Sequence, residues 1–458
     1  MNLGILSLLP IIVFFTLVFT TKKMVMSFVA GILTASLLMS GTGFVGSFLN
    51  FIQAGFMGGT VGYLCLLLAL FGVLIKLLDA SGAALGFANW VSKFANTPRK
   101  ALLLSFVVGM ATFVDDYLHE MAVGSAMKPV TDKYRISRSK LAFLNNGTAS
   151  TICVMVPIST WGAFYAGMYE SSGVCEAGQG LSTYIASLPF MFFPIFMLLI
   201  VLFLCFGILP DLGSLKKQER LAREKGIVCS AAVSNKAEDI TIAEETEDQE
   251  TKNMNPVPFI LSIVVIVAVT ILMGDVCMGC CAAIAMMFIL LLLQKRMRFA
   301  ELLDASFEGA KSMFSVYLII VVAIAFTEAN TAIGMSDFVV SAVTPVLQSS
   351  ASLFPALVFV FLAIYSFFAG GAWTQSMIFM PVILPIGFAI GANPLLMAAA
   401  CVCASAASST YYIGADAVLL TSAATEVTPK GIIDAEIPYC LIATVLSTVA
   451  FLIAGFLL

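Results

Sequence analysis

The amino-acid sequence predicts an all-α membrane protein, with about 10 transmembrane helices plus two re-entrant helical hairpins in two inverted repeats. Three observations predict it. Of 458 residues, 60% are hydrophobic and 11% charged, whereas a soluble domain carries roughly 45–50% apolar and about 25% charged residues. Apolar runs of bilayer-spanning length follow one another along the chain. Two stretches far apart in sequence repeat the same order of elements.

The spans read in order as 3–20, 24–40, 61–79, 141–165, 186–209, 257–274, 277–294, 313–330, 394–425 and 437–458. The first lacks the positive flank and small-residue cleavage site of a signal peptide, so it reads as a retained span. Runs near 101–128 and 355–390 differ from these. Asp115-Asp116 interrupts the first and Gly370-Gly371 the second. Each is expected to enter the membrane and turn back, because non-helical backbone at membrane depth is tolerated only beside a cavity or inside protein.

Basic residues orient the spans, since Lys and Arg favour the cytoplasmic side. They gather at Lys22-Lys23, Lys93, Arg99-Lys100, Lys128 to Lys140, Lys216 to Lys225, Lys295 to Arg298 and Lys430. The loops at 41–60, 168–185 and 331–353 contain neither Lys nor Arg. Both termini then fall outside. Residues 1–209 form an N-terminal half and 256–458 a C-terminal half. Between them, 210–255 starts basic and turns acidic through Glu238 to Glu250, the composition of a mobile cytoplasmic linker.

The repeat begins at Ile52 and again at Leu303. Each copy enters through a phenylalanine-glycine stretch, crosses as a long apolar span, and leaves through Asp79-Ala80-Ser81 or Glu328-Ala329-Asn330. An interrupted hairpin and a polar-centred span follow in both. The charge argument runs the two copies in opposite directions, the pattern of secondary transporters with a central site.

The densest chemistry lies in the first hairpin, at Asp115, Asp116, His119 and Glu120. Each charge at the bilayer centre costs about 2.5–3.5 kcal/mol on insertion scales, so such a group implies a cavity. Neighbouring carboxylates repel and thereby favour uptake of a cation or a proton. His119 is the one histidine and a candidate pH-responsive group. Asn145, Asn146, Thr148, Ser150 and Thr151 then interrupt an apolar span, and Pro157 precedes Ser159 and Thr160. Proline removes a helical hydrogen bond, so a broken helix with free carbonyls and hydroxyls is expected. In the second half, Trp373, Thr374 and Gln375 mark the hairpin tip. Ser408, Ser409, Thr410 and Asp416 lie within the following span. Asp115, Asp116, Asp416, Glu120 and His119 are the candidate ion or proton carriers. Asn145, Asn146, Thr148, Ser159, Thr160, Trp373, Thr374, Gln375, Ser408, Ser409 and Thr410 are the candidate substrate ligands.

Other functions are excluded on specific grounds. His119-Glu120 opens like a zinc-protease helix, but Val123 replaces the second histidine. No glycine-rich phosphate loop of the ATPase type occurs. Cys277, Cys280 and Cys281 have a metal-like spacing without the remaining ligands. No basic, aromatic-laced patch suggests nucleic acid. No filter-forming segment suggests a channel. An enzyme is not expected.

The segments Asp115-Asp116-Tyr117, Met127 to Ser137 with Lys140-Leu141-Ala142, and Pro157 to Ala163 together resemble the NhaC-like Na+/H+ antiporter family. The likeness extends more weakly over nearly the whole chain. It implies a bacterial inner-membrane carrier that exchanges Na+ for H+, or a small organic acid such as malate for lactate with those ions. Where the family has Asp, this chain has Asn146. Where its second half has Asp-His and Ser-Pro, this chain has Ser408, Ser409, Tyr411 and Tyr412, and only Asp416 matches. The exchange of carboxylates for Asn, Ser and Tyr suits hydrogen bonds to an organic substrate, so an amino-acid or organic-acid carrier is the alternative. No cofactor is expected beyond Na+ and H+ as coupling ions. The expected partners are the lipid bilayer, a small ion or organic solute, and a second copy in a homodimer.

Overall fold

The computed structural model describes residues 4–21, 24–57, 61–236, 238–241, 255–273, 275–335, 338, 351–369 and 372–458. Lys22-Lys23, Gly370-Gly371, most of the 331–353 loop and the acidic stretch from Glu244 to Glu250 lie outside the described residues, as do the side chains of Asp79 and Thr374.

The chain is mostly helical. In the N-terminal half the helices are α1 Leu9–Thr21, α2 Met24–Ser40, α3 Phe44–Met57, α4 Val61–Ala80, α5 Ala83–Ser92, α6 Pro98–Ala111, α7 Asp116–Lys133, α8 Arg138–Met155, α9 Thr160–Ser171, α10 Gly180–Ser187 and α11 Phe192–Phe206. The connecting segment forms α12 Gly213–Lys225 and a small antiparallel pair, β1 Ile227–Cys229 with β2 Ile240–Thr241. The C-terminal half holds α13 Val257–Met273, α14 Val276–Leu293, α15 Phe299–Ser312, α16 Phe314–Ala332, α17 Phe354–Ala369, α18 Ala372–Ala389, α19 Pro394–Tyr411, α20 Asp416–Thr425 and α21 Pro429–Leu457. By length and hydropathy, four described helices can each cross a membrane, or six if each bent pair counts as one span. Shorter apolar helices accompany them.

Helix starts follow local chemistry. Thr97, Ser137, Ser159 and Thr428 each accept a bond from a backbone N–H of the helix that follows, which satisfies one of its orphan donors. Helices α6 and α7 form a hairpin. Tyr134, just past α7, donates its hydroxyl to the carbonyl of Ala95, just before α6, at 2.8 Å. The pair therefore returns to its starting end, with Asp115 at the far tip. Its arms run from 98 to 133, longer than the apolar run because the basic ends are helical as well.

The two interrupted helices form the centre. Every residue from Arg138 to Val154 is buried, and so is every residue from Leu396 to Tyr411. The apolar window within 394–425 is 89% buried, against 28% for the peripheral α21. Polar residues inside a membrane fold collect where lipid is excluded, and small residues let the backbones approach. Helices α8 and α9 bend by 49° at Val156 to Ser159. Pro157 interrupts the ladder there. Gly162 is required at this bend, because a Cβ on it would stand 2.3 Å from the Pro157 carbonyl oxygen. Farther out, α4 crosses α15 at Gly72 and Gly309, where a Cβ on either would meet the other's carbonyl at 2.2–2.3 Å.

The connecting segment departs from the expected mobile linker, since its first part is docked. Leu215, Glu219 and Ala222 form a buried stripe on α12. Glu219 accepts bonds from the Ser137 backbone N–H and hydroxyl at 2.9 and 3.1 Å. Val233 joins Ala142, Val418, Val427 and Ile432 in a small apolar cluster. Ser234 pairs with Val427 as a backbone bridge, and Asn235 donates to the Glu426 carbonyl at 3.0 Å. Burial of this apolar stripe and pairing of these backbone groups hold the segment against the α20–α21 loop.

Candidate functional site

The site is built where the α6–α7 tip, the α8–α9 bend and the α19–α20 break converge. Asp115 caps α7 by accepting the Leu118 N–H at 3.1 Å. Its second oxygen accepts the Thr160 hydroxyl at 3.1 Å, and the Thr160 N–H donates to the Val114 carbonyl at 3.0 Å. The hairpin tip is thus pinned to the first turn of α9. Asp116, the first residue of α7, is buried beside Trp161, whose indole N–H points toward it without a hydrogen bond of normal geometry. Tyr117 donates its hydroxyl to Asp416 at 3.0 Å. Asp416 begins α20 and is exposed, so it sits at the open edge of the site.

One turn farther along α7, Glu120 is fully buried, and neither carboxyl oxygen has a partner. Asp116, Asp115, Asp416 and Glu436 lie within its electrostatic reach, in falling order of influence. Asn145 on α8 donates to the Glu120 backbone carbonyl at 2.9 Å and to the Thr421 hydroxyl at 3.1 Å. Its neighbour Asn146 donates to the Thr410 carbonyl at 3.1 Å and to Glu436 Oε1 at 2.8 Å. Thr410 belongs to the last turn of α19, where carbonyls have lost their helical donors. Glu436 is fully buried on α21.

After these bonds five buried acceptor oxygens remain unpaired: both of Glu120, Asn145 Oδ1, Asn146 Oδ1 and Glu436 Oε2. Neither glutamate is in an ion pair among the described residues. A buried carboxylate without a partner is prohibitively costly, so a cation or a proton must neutralise these groups. Hard oxygen donors suit alkali cations and protons rather than soft metals. Among the described residues no three His, Cys, Asp or Glu side chains converge on one point.

The remaining candidates separate by role. His119 bridges α6 and α8, with Nδ1 3.0 Å from the Thr112 hydroxyl and Nε2 3.0 Å from the Thr148 hydroxyl. Among the described residues no carboxylate bonds its ring. A Cβ on Gly109 would press to 2.9 Å from it, so glycine makes room for the imidazole. The Ser159 hydroxyl is 2.6 Å from the Cys153 carbonyl and also caps α9, so it serves the bend. Ser408 is buried with its hydroxyl unpaired, and Ser409 is buried beside it. Trp373 stands apart from the oxygen cluster. It packs on Trp161 and Phe164 at ring distances of 5.4 and 4.4 Å. Gln375 bonds Ser366 and leaves its amide nitrogen unpaired. Ser376 links Tyr165 and Ser405 at 2.9 and 2.6 Å.

Glu436 and Thr421 escaped the sequence reading. Glu436 stands in Ile432 to Cys440, one residue before the apolar run from 437. A window admitting one carboxylate into that span would have found it.

The chain is similar to several known proteins. The sequence model of the Na+/H+ antiporter family matches residues 152–456, and that of the GntP family permease matches residues 3–175. An uncharacterized protein of Haemophilus influenzae is 25% identical over 494 residues, covering 98% of this chain and 91% of that protein. Two solved structures share the fold. The YdaH transporter of Alcanivorax borkumensis aligns with a TM-score of 0.65 at 12% identity, over 98% of both chains. MtrF of Neisseria gonorrhoeae, described as illuminating a class of antimetabolite efflux pumps, aligns with a TM-score of 0.61 at 14% identity, over 97% of this chain and 94% of that one. With a buried acidic site between broken helices, a transporter fold, and a family match over most of its length, the chain is a multi-pass secondary transporter that belongs to the Na+/H+ antiporter family.

Proposed function

We propose that this carrier exchanges Na+ for H+ across the cytoplasmic membrane at one shared site formed by Glu120, Asn145, Asn146 and Glu436. The observation that carries the reading is the set of five buried, unpaired oxygens on those residues. Such a set accepts either a cation or protons, and mutual exclusion of the two occupants couples their opposite movements. Asp416, Asp115 and Asp116 line the approach from the open edge and attract the ion. The order of hairpin and broken helix occurs twice, as α6–α9 and as α17–α20. This supports two inverted halves rocking about a central site.

A second reading rests on a different observation. The Gln375 side-chain nitrogen is a buried donor without a partner, two residues from Trp373, which packs on Trp161. An unpaired donor beside aromatic walls suits the carboxylate of a small organic acid carried with the ions.

The purified protein in liposomes bearing an internal pH dye tests both. Sodium pulses should dissipate an imposed pH gradient in the wild type and fail to do so in Glu120→Gln and Glu436→Gln. A wild type that leaves the gradient untouched by Na+ at every pH from mildly acid to mildly alkaline would refute Na+/H+ exchange. If the gradient collapses only when an organic acid accompanies the Na+, the second reading stands.

A further inference from the structure

A cavity of about 260 Å³ lies at the end of the α8–α9 span opposite the Lys128–Lys140 cations. The end of α9, the C-terminal part of α16 and the proline-bearing part of α18 line it. It is separate from the oxygen cluster around Glu120.

Three polar residues that line the cavity each keep a buried side-chain atom unsatisfied. Glu170 Oε1 accepts the Gly180 N–H at 2.8 Å, at the start of α10, while Oε2 is buried and unpaired. Asn330, 3% exposed, donates to the Phe326 carbonyl at 2.9 Å and leaves Oδ1 unpaired. Ser172, 5% exposed, has an unpaired hydroxyl. Buried polar atoms are nearly always paired, so three orphans around one cavity point to a missing partner. The rest of the lining is mostly apolar, with Phe326, Val382 and Pro385 prominent beside Ser171 and Thr331, and among the described residues it includes no Lys or Arg.

We propose that this cavity is a second ligand site, selective for an ammonium group carried on a short apolar body. A protonated amine has three donors and no acceptor. Glu170 Oε2, Asn330 Oδ1 and the Ser172 hydroxyl offer three acceptors, and the carboxylate supplies the opposite charge. A bare alkali ion would use the oxygens but leave the apolar wall facing a void. The volume falls just below that of drug-sized sites, roughly 300–1,000 Å³, and suits a ligand of a few carbons.

The probe is n-butylammonium chloride, added to the full-length protein in non-ionic detergent with thermal unfolding as readout. A saturable rise in Tm is expected, and none with equal concentrations of sodium chloride or n-butanol. The midpoint should move at least tenfold higher in Asn330→Leu, which removes an acceptor, and in Val382→Trp, which fills the cavity. It should be unchanged in Glu120→Gln and Glu436→Gln, so this site and the exchange site fail or hold separately. The proposal is overturned if butylammonium gives no saturable rise. It is equally overturned if sodium chloride gives the same rise, or if the midpoint moves in the Glu120 and Glu436 variants and not in Asn330→Leu or Val382→Trp.

Discussion

Replacing Glu436 by Gln tests the charge at the site while keeping its shape. The Asn146 amide donates to Glu436 Oε1 at 2.8 Å, and Oε2 remains open for a ligand. Gln can keep one oxygen toward Asn146 but loses the negative charge. Two unit charges about 4 Å apart interact by about 4 kcal/mol at an effective dielectric constant near 20. Because about 1.4 kcal/mol is tenfold in an equilibrium, full loss of that attraction weakens Na+ binding about a thousandfold. With its oxygen on Asn146 the amide puts an NH2 where Oε2 stood, so a loss of about a hundredfold or more is expected. The assay is the Na+ concentration giving half-maximal dissipation of a pH gradient in liposomes, with size-exclusion elution confirming the fold. Glu436→Asp keeps the charge with a shorter reach and should fall between wild type and Gln. A Gln variant whose half-maximal Na+ stays within about threefold of wild type would refute a role for Glu436 as an ion ligand.

Three other outcomes follow from the geometry. Gly162→Ala places a Cβ 2.3 Å from the Pro157 carbonyl, so the α8–α9 bend must shift. A backbone overlap of this kind costs roughly 1–3 kcal/mol, and it should appear as lower thermal stability with transport reduced more than expression. Arg138 pairs with Asp132 at 2.7 Å and with Glu426 in a half-buried cluster. Arg138→Ala should cost about 3 kcal/mol, read as a lower Tm in detergent, with the docked segment from 227 to 241 becoming sensitive to protease. Burial works against the Glu426 carboxylate, yet Lys128, Arg138 and Lys236 hold it below its ordinary value. A carboxyl depressed by folding contributes stability above its unfolded pKa and loses it as pH falls through the folded value. The Tm advantage of wild type over Glu426→Gln should therefore be full at neutral pH and shrink below about pH 4.5. An advantage that persists unchanged into that acid range would contradict the assignment.

What was legible in the sequence was what a local pattern encodes. Pro157 marks its own break because it lacks an N–H, and the basic residues beside Arg99 and Lys133 mark the hairpin's common end. Asp115 and Asp116 were visible because two adjacent carboxylates have no place in lipid. Glu436 was not, because a lone carboxylate next to an apolar run reads as the edge of a span. Its burial depends on Asn146, 290 residues away. The docked half of the connecting segment shows the same limit. Leu215 and Ala222 are spaced for one face of a helix, but the surface that receives them comes from α8 and α21, and no local pattern announces it. The cavity beside Glu170 is farther still from local reading, since a single glutamate in a loop is ordinary until Asn330 is placed opposite it.

Asn145 and Asn146 explain why α8 stands at the centre. Adjacent residues on a helix point about 100° apart, so the two amides face different neighbours. Asn145 reaches α7 and α20, and Asn146 reaches α19 and α21. Each uses both N–H bonds on fixed acceptors: a backbone carbonyl in each case, joined by a hydroxyl or a carboxylate. Rotating either amide would set its oxygen against a carbonyl oxygen, so the chemistry of the partners fixes the orientation. The oxygens are thereby turned away from the helix contacts and left for a ligand. An aspartate at position 146 could not donate to Thr410 or Glu436 without first taking up a proton. Under the proposed exchange the asparagine thus keeps these helices joined whether the site is empty, sodium-bound or protonated, and it leaves Glu120 and Glu436 as the groups whose charge changes with the occupant.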